Sequence, residues 1–389
     1  MNDEEESDLY CQHVLGLGHL IRGLEIVRGL SELFEVSFLN GGEITPEIAI
    51  PSSVEVINLP PVKSDAGFRG IYTVNDSEKI DEILEKRKRL IIDHYQRLLP
   101  DLLVIELFPF GRRTFAGELV PLLEHIRLGG RRTKVVCSLR DILVSKREQE
   151  QFEEEACRIV NRYFDLLLVH SDPRFQLLDD TFPRVADLKC PIRYTGFVVR
   201  EEQEKGRKID DEEKVIVVSI GGGRVGIELI ECAIETSALL DHQLPHRMYI
   251  FTGPYLPGAE FERLRSKVAG RANMILQRYT TDFVSYLRGA DLSISMAGYN
   301  TCMNIITERV RAIVYPFTGN NNQEQSIRAG KLKKLGMLDV IRSDELAPET
   351  LAGMIVNALA KPRPVKFDFD LCGVEKTVEA LLEILKPQR

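Results

Sequence analysis

Two short apolar runs, at 291–295 and 312–315, each stop on a turn residue and pass into a helix-forming segment. The first closes on Gly298. The second closes on Pro316, crosses a polar loop at 318–322 and enters a helix bearing Glu324, Gln325 and Arg328. Apolar runs of four or five residues bounded by turn residues read as buried strands, and strands that alternate with helices require a parallel sheet covered by helices. Few architectures satisfy that pattern. The first of these helices is expected to start near Tyr299 or Asn300, with Asn300 or Thr301 as its cap. A strand–glycine–helix junction gathers backbone N–H groups and the positive end of a helix at one place, where an anion can sit. Two such junctions at the carboxyl ends of adjacent strands point to a nucleotide or diphosphate site.

The same rhythm recurs upstream. A strand at 215–220 meets Gly221-Gly222-Gly223-Arg224-Val225-Gly226, a second glycine-rich loop ahead of a helix and well placed to cradle a diphosphate. No Lys-Ser/Thr pair follows, so it is not a Walker A loop. The next strand, at 247–251, ends in Thr252-Gly253-Pro254 rather than an acid, so it is not the dinucleotide fingerprint either. A strand at 273–276 leads to Arg278 and Tyr279.

In the N-terminal half a strand at 9–15 turns through Gly16-Leu17-Gly18-His19 into a helix that runs to about 33. Gly16 and Gly18 permit a tight turn and close approach to a ligand. His19 falls in the first helical turn, and Arg22 shares its face. The helix N-terminus disfavours imidazolium, so His19 is expected to be neutral and able to accept a proton. Strands at 34–39, 54–59 and 102–105 and a helix at 77–99 continue the alternation. Glu106, Asp141 and Asp172 stand at strand ends, where each can orient His19, hold an acceptor hydroxyl or simply cap a helix.

A chain of 389 residues exceeds one ordinary core. Residues 8–198 and 214–365 read as two Rossmann-like domains, 199–213 as a charged linker, and 366–389 as a terminal helix that packs back on the first domain. The net charge of −8 argues against nucleic-acid binding. Seven scattered cysteines without C-x-x-C spacing fit neither a disulfide framework nor a zinc site. The acidic start is unlike a signal peptide, and no apolar run reaches the ~20 residues of a bilayer span, so a cytoplasmic location is expected. Phe108, Phe110 and Phe115 lie beside Arg112 and Arg113, and Arg127, Arg131, Arg132 and Lys134 follow. They read as a solvated face or as a contact for anionic lipid.

The combination of S-x-A-G-x-x-T, an apolar strand ending in Pro, and E-Q-x-x-R-A resembles the donor half of the GT-B glycosyltransferases. The resemblance is to the branch that contains the lipid II-forming N-acetylglucosaminyltransferase, of family 28 C-terminal-domain type. G-x-G-H-x-x-R resembles that branch's first loop, and F-P-F-G-R-R with S-L-R-D-I resembles a sub-branch of uncharacterised predicted glycosyltransferases. It implies an α/β, GT-B chain whose two parallel-sheet domains face a cleft. The implied reaction is inverting, metal-independent transfer from a nucleoside-diphosphate sugar, UDP-linked by expectation, to a hydroxyl acceptor, with no cofactor. His19 or Glu106 would be the base, with Gly16, Gly18 and Arg22 around the acceptor or diphosphate. Donor binding would fall to Gly221, Gly222, Gly223, Arg224, Gly253, Arg278, Tyr279, Gly298, Thr301, Asn304, Glu324 and Gln325. The acceptor would be a small molecule, or lipid-linked with peripheral contact at the inner membrane face. The family pattern has a ribose-gripping Glu where this chain has Asn304, and Glu308 one turn on is the expected substitute. The Asp368-x-Asp370 pair reads as a decoy. The alternatives are a nucleotide-sugar hydrolase of the same fold, with water in place of the acceptor, and a catalytically silent sugar-nucleotide-binding protein.

Overall fold

The computed structural model describes residues 5–13, 17–44, 48–64, 70–75, 78–129, 133–144, 148–200, 213–241, 243–319 and 322–386. Gly16, Arg131, Arg132 and linker residues 201–212 lie outside the described residues, as does the expected helix start at Ser77.

The N-terminal half runs β1 (Glu6–Cys11), α1 (Gly18–Leu30), β2 (Glu35–Asn40), β3 (Glu55–Asn58), a small hairpin of β4 (Val62–Ser64) and β5 (Ile71–Thr73), then α2 (Ile80–Leu98). It continues with β6 (Leu102–Glu106), α3 (Ala116–Leu128), β7 (Lys134–Arg140), α4 (Gln149–Tyr163), β8 (Leu166–His170) and β9 (Ile192–Tyr194). Seven strands form one sheet in the order β3-β2-β1-β6-β7-β8-β9, every neighbour parallel. All five residues of β6 and of β8 are buried, as expected for strands covered on both faces.

The C-terminal half repeats the plan with β10 (Lys214–Ser219), α5 (Ile227–Leu240), β11 (His246–Phe251), α6 (Gly258–Val268), β12 (Met274–Gln277), α7 (Phe283–Gly289), β13 (Leu292–Met296), α8 (Tyr299–Glu308), β14 (Arg311–Tyr315), α9 (Glu324–Lys334), β15 (Asp339–Val340), α10 (Pro348–Ala360) and α11 (Gly373–Leu385). Its parallel six-stranded sheet has the order β12-β11-β10-β13-β14-β15. The cap expected at Asn300 or Thr301 is absent. Gly298 holds the N-cap position of α8, and both residues lie inside its first turn. α10 starts at Pro348, because proline's missing N–H is no loss at a helix start.

The chain passes between the halves twice. Phe197 N donates to Asp370 O at 2.7 Å, and Gly373 N donates to Phe197 O at 3.1 Å, so the outgoing and returning segments lie side by side. The last helix then returns to the first domain. Val378 and Leu381 of α11 share a core with Leu20, Leu24, Val27 and Leu30 of α1. A Cβ on Gly29 would meet Val374 Cγ1 at 2.4 Å, so a glycine is what lets the helices approach this closely. Leu381 is fully buried. Leu381→Ala is expected to destabilise the N-terminal domain by about 2–4 kcal/mol, although the residue lies late in the chain. Urea unfolding followed by N-terminal-domain hydrogen exchange checks this; loss of protection confined to residues 214–360 would contradict it.

Candidate active site

In each sheet the strand order reverses beside the first strand, between β1 and β6 and between β10 and β13. The carboxyl ends of strands at such a switch point leave a crevice. Here the crevices of the two domains open onto one cleft of about 1420 Å³, lined by Gly18, His19 and Arg22 from one side and by Gly221–Arg224, Gly298 and Asn304 from the other.

On the N-terminal wall, α1 begins at Gly18, which places His19 in its first turn. β6 ends on Glu106, next to β1, so the carboxylate reaches the imidazole. Glu106 Oε1 and Oε2 lie 2.8 and 2.9 Å from His19 Nδ1, and Arg22 Nη2 donates to Glu106 Oε1. With Nδ1–H donated to the carboxylate, Nε2 is the ring nitrogen left for the cleft. The side chain of His19 is 14% exposed and that of Glu106 1%. Burial pushes the imidazole down to about 4, and nearby Arg112 and Arg140 outweigh part of Glu106's opposing pull. Burial would raise the Glu106 carboxyl, but His19, Arg22 and Arg112 together hold it below the usual carboxylate range. The pair therefore stands as a neutral imidazole beside an ionised carboxylate.

The three strand-end carboxylates separate by partner. Glu106 meets His19. Asp141 is fully buried in an ion pair with Arg328 of α9, at 2.6 and 2.7 Å. Asp172 accepts from Arg174 and from Asp370 N, pinning the returning segment. Asp370 is bonded to Lys376 and Asp368 to Arg174, and neither lines the cleft.

On the C-terminal wall, the loop after β10 carries Gly221 at φ +66 and Gly223 at φ +90. A Cβ on Gly223 would meet Thr252 O at 2.4 Å, and one on Gly253 would meet Gly221 O at 2.4 Å. Gly253 therefore braces the glycine loop from behind and does not line the cleft. Gly298 differs: its φ is −64, and a Cβ there would stand in open space, with Thr301 Oγ1 the nearest atom at 4.0 Å. The N–H groups of the first turn of α8 are thus approachable.

Arg278 donates to Leu256 O at 2.7 Å and stacks on Phe261. Tyr279, Thr301, Asn304 and Gln325 line the same cleft. Gln325 Oε1 accepts from Phe317 N at 3.0 Å. Arg224 is partly engaged, by Glu43 of the other domain at 3.1 Å. Glu324 lines the cleft, but Arg328 and Arg140 each hold one of its oxygens, at 2.7 and 2.8 Å. Glu308 is not the substitute for the missing ribose carboxylate. Its two oxygens pair with Arg288 at 2.8 and 3.1 Å, and it does not line the cleft.

Sequence reasoning missed Arg140, which immediately precedes Asp141 at a strand end and faces the cleft by the same crevice rule. It set Arg112 in a surface patch. The turn after β6 instead carries Arg112 into the cleft, with Nε donating to Gln12 O at 2.8 Å. Arg113 and Arg127 leave that patch for Glu155 and Asp165.

Burial also pushes His13 down to about 4 and His170 down to about 3. Unfolded histidines protonate near pH 6.5, so between about pH 6.5 and 4 the unfolded chain binds more protons than the folded one. This contribution to stability is complete above that window and is lost as pH falls through it, by about 1.4 kcal/mol per pH unit for each histidine. Urea midpoints are expected to drop between pH 7 and pH 5, and equal midpoints would contradict the assignment.

Residues 217–366 match the glycosyltransferase family 28 C-terminal domain. Among curated relatives, the UDP-N-acetylglucosamine–N-acetylmuramyl-(pentapeptide) pyrophosphoryl-undecaprenol N-acetylglucosamine transferase of Caldicellulosiruptor saccharolyticus is 24% identical over 267 residues, 68% of this chain and 66% of the relative. An uncharacterized glycosyltransferase of Methanosarcina mazei is 26% identical over 135 residues, 35% of this chain and 33% of the relative. The chain thus spans less than two-thirds of the length of these relatives. Two solved structures are similar over nearly the whole chain. The calicheamicin glycosyltransferase gives a TM-score of 0.63 at 16% identity, covering 99% of both chains. MurG of Acinetobacter baumannii gives 0.56 at 15% identity, covering 98% of this chain and 99% of that one. The match to the glycosyltransferase family 28 C-terminal domain thus falls on residues 217–366, in a chain with the two-domain GT-B fold.

Proposed function

We propose that the chain transfers a sugar from a nucleoside-diphosphate sugar to an acceptor hydroxyl, with inversion. The observation that carries this reading is the His19–Glu106 pair standing across the cleft from the glycine loop and the start of α8. His19 Nε2 takes the proton of the acceptor hydroxyl. The hydroxyl oxygen bonds to the anomeric carbon from the face opposite the diphosphate, and the bond from that carbon to the leaving oxygen breaks with its electron pair. Glu106 holds the imidazole in the required tautomer and stabilises the imidazolium as it forms.

The leaving diphosphate gains charge in this step. Backbone N–H groups of the Gly221–Gly223 loop and of the first turn of α8, with the positive helix end, are the donors assigned to it. Because these donors already meet the developing charge, the mechanism does not require a divalent metal. Gln325 is assigned to sugar hydroxyls, with Glu324 beside it as a carboxylate already shared by two arginines. UDP is the favoured carrier, because the relatives' names specify UDP-N-acetylglucosamine. Those names also specify an undecaprenol-linked acceptor. Among the described residues no helix is long and apolar enough to cross a membrane, so a lipid-linked acceptor would be met at a membrane face. The intact base pair favours this reading over a silent binding protein.

UDP at about 100 times its dissociation constant is expected to stabilise the protein by about 2.7 kcal/mol, read as a rise in melting temperature. Gly298→Trp, whose side chain enters the space before α8, is expected to abolish the rise while leaving the unliganded melting temperature unchanged. No rise with any nucleoside diphosphate at millimolar concentration would sink the donor assignment. His19→Ala is expected to retain the rise and to lose about 10²–10⁴-fold in turnover. Asn304→Glu supplies the missing bidentate acceptor and is expected to tighten UDP about tenfold in titration calorimetry; unchanged or weaker binding would show that the ribose lies elsewhere.

A further inference from the structure

Helix α8 presents its first residue, Tyr299, to the other domain. Tyr299 is 5% exposed. Its hydroxyl donates to His170 O at 3.1 Å and accepts from Val198 N at 2.9 Å. The next side chain, Asn300, donates through Nδ2 to Gly18 O at 3.2 Å, at the start of α1. The proposed diphosphate helix is therefore joined to the helix that carries His19.

The ring of Tyr299 lies against two guanidinium groups, Arg22 with its Cζ 5.2 Å from the ring centroid and Arg328 at 5.6 Å. Arg328 is firmly held: Asp141 accepts from Nε and Nη2, Ala297 O accepts from Nη1 at 2.9 Å, and Glu324 shares Nη2 at 2.7 Å. Arg22 is not. It is 2% exposed, its Nη2 reaches Glu106 and lies near His19, and its Nε has no hydrogen-bond partner among the described residues. A buried guanidinium with so few polar partners depends on its remaining neighbour, and that neighbour is the face of an aromatic ring. Arg22 is in turn the group that shares Glu106 with His19.

We propose that Tyr299 is a positioning residue for the transfer reaction: its ring, backed by Arg328, holds Arg22 on Glu106 and thereby fixes the His19–Glu106 pair relative to α8. This rests on the reading of His19 as the base. The charged groups facing His19 are Glu106 from β6, Arg22 from α1, Arg112 from the following turn, Arg140 at the end of β7 and Glu324 from α9. Without the aromatic face Arg22 withdraws, the Glu106 charge falls on His19 alone, and the protonated imidazole is favoured. The imidazole then takes up its proton at a higher pH than in the wild-type protein.

The test is an NMR titration of the His19 ring in the full-length protein, with the resonance assigned by His19→Gln. The wild-type ring is expected to stay neutral down to about pH 5. Tyr299→Leu is expected to raise its titration by about one pH unit or more, a tenfold change in protonation. Tyr299→Phe keeps the ring and loses both hydroxyl hydrogen bonds, so it is expected to lower the melting temperature and leave the His19 titration in place. Should Tyr299→Leu fail to fold, Tyr299→Met fills the space without an aromatic face and carries the same expectation. An unmoved His19 in the folded non-aromatic variant, or a shift in Tyr299→Phe equal to that in the non-aromatic one, overturns the proposal. With UDP-N-acetylglucosamine as donor, the acid limb of kcat/KM should move with the titration while the donor KM stays within twofold. A wild-type protein that turns over no nucleotide sugar would defeat the proposed function, and the titration would still decide the role of Tyr299.

Discussion

Arg328 carries a positive charge with none of its surface in water, and that is tolerable only because both domains supply its partners. Asp141 comes from the end of β7, Ala297 O and Glu324 from the second domain. A buried ion pair is costly to form and more costly to leave half made, by about 3–5 kcal/mol when one partner is lost. The domains therefore cannot separate at this point by a small amount. Either the guanidinium keeps its full set of acceptors or it must become hydrated, so the two domains are tied together at this point. Tyr299 touches Arg328, Phe197 of the crossing segment, and Arg22 on the helix that bears His19.

The cleft is lined by cations whose charges are unevenly matched. Arg22 meets Glu106, Arg140 meets Glu324, and Arg224 meets Glu43. Arg112 and Arg278, on opposite walls, have carbonyl oxygens as their hydrogen-bond acceptors among the described residues. Two such cations, not matched by a carboxylate, favour negative charge in the space between them. It suits a substrate that brings its own negative charge, and it also keeps the imidazole neutral, since a further cation there is unwelcome.

Much of this was legible in the sequence, because the signals were local. Short apolar runs separated by glycine turns mark the two parallel sheets, and the crevice rule singles out residues at strand ends, Glu106 among them. The same rule offered Asp141 and Asp172, and apart from the Pro173 and Arg174 that follow Asp172 the local sequence says little of their partners. Their separation depends on Arg328 and Asp370, residues 187 and 198 positions away. Glu308 failed for a related reason: helical spacing put it one turn beyond Asn304, but Arg288 from a neighbouring helix had already claimed its carboxylate. Tyr299 read as a helix start. Its contact with two arginines follows from how the domains meet, which no sequence window contains.

The return of α11 to α1 has a consequence for the order in which the molecule can be completed. The first domain leaves the ribosome with the α1 surface beside Gly29 uncovered, and the helix that covers it is made nearly two hundred residues later. At ordinary elongation rates that interval is on the order of ten seconds or more. Through that time the nascent first domain displays an apolar groove shaped for Val374, Val378 and Leu381, and the second domain must be synthesised before the groove is filled. Completion of the first domain is in this way tied to the arrival of an intact second domain.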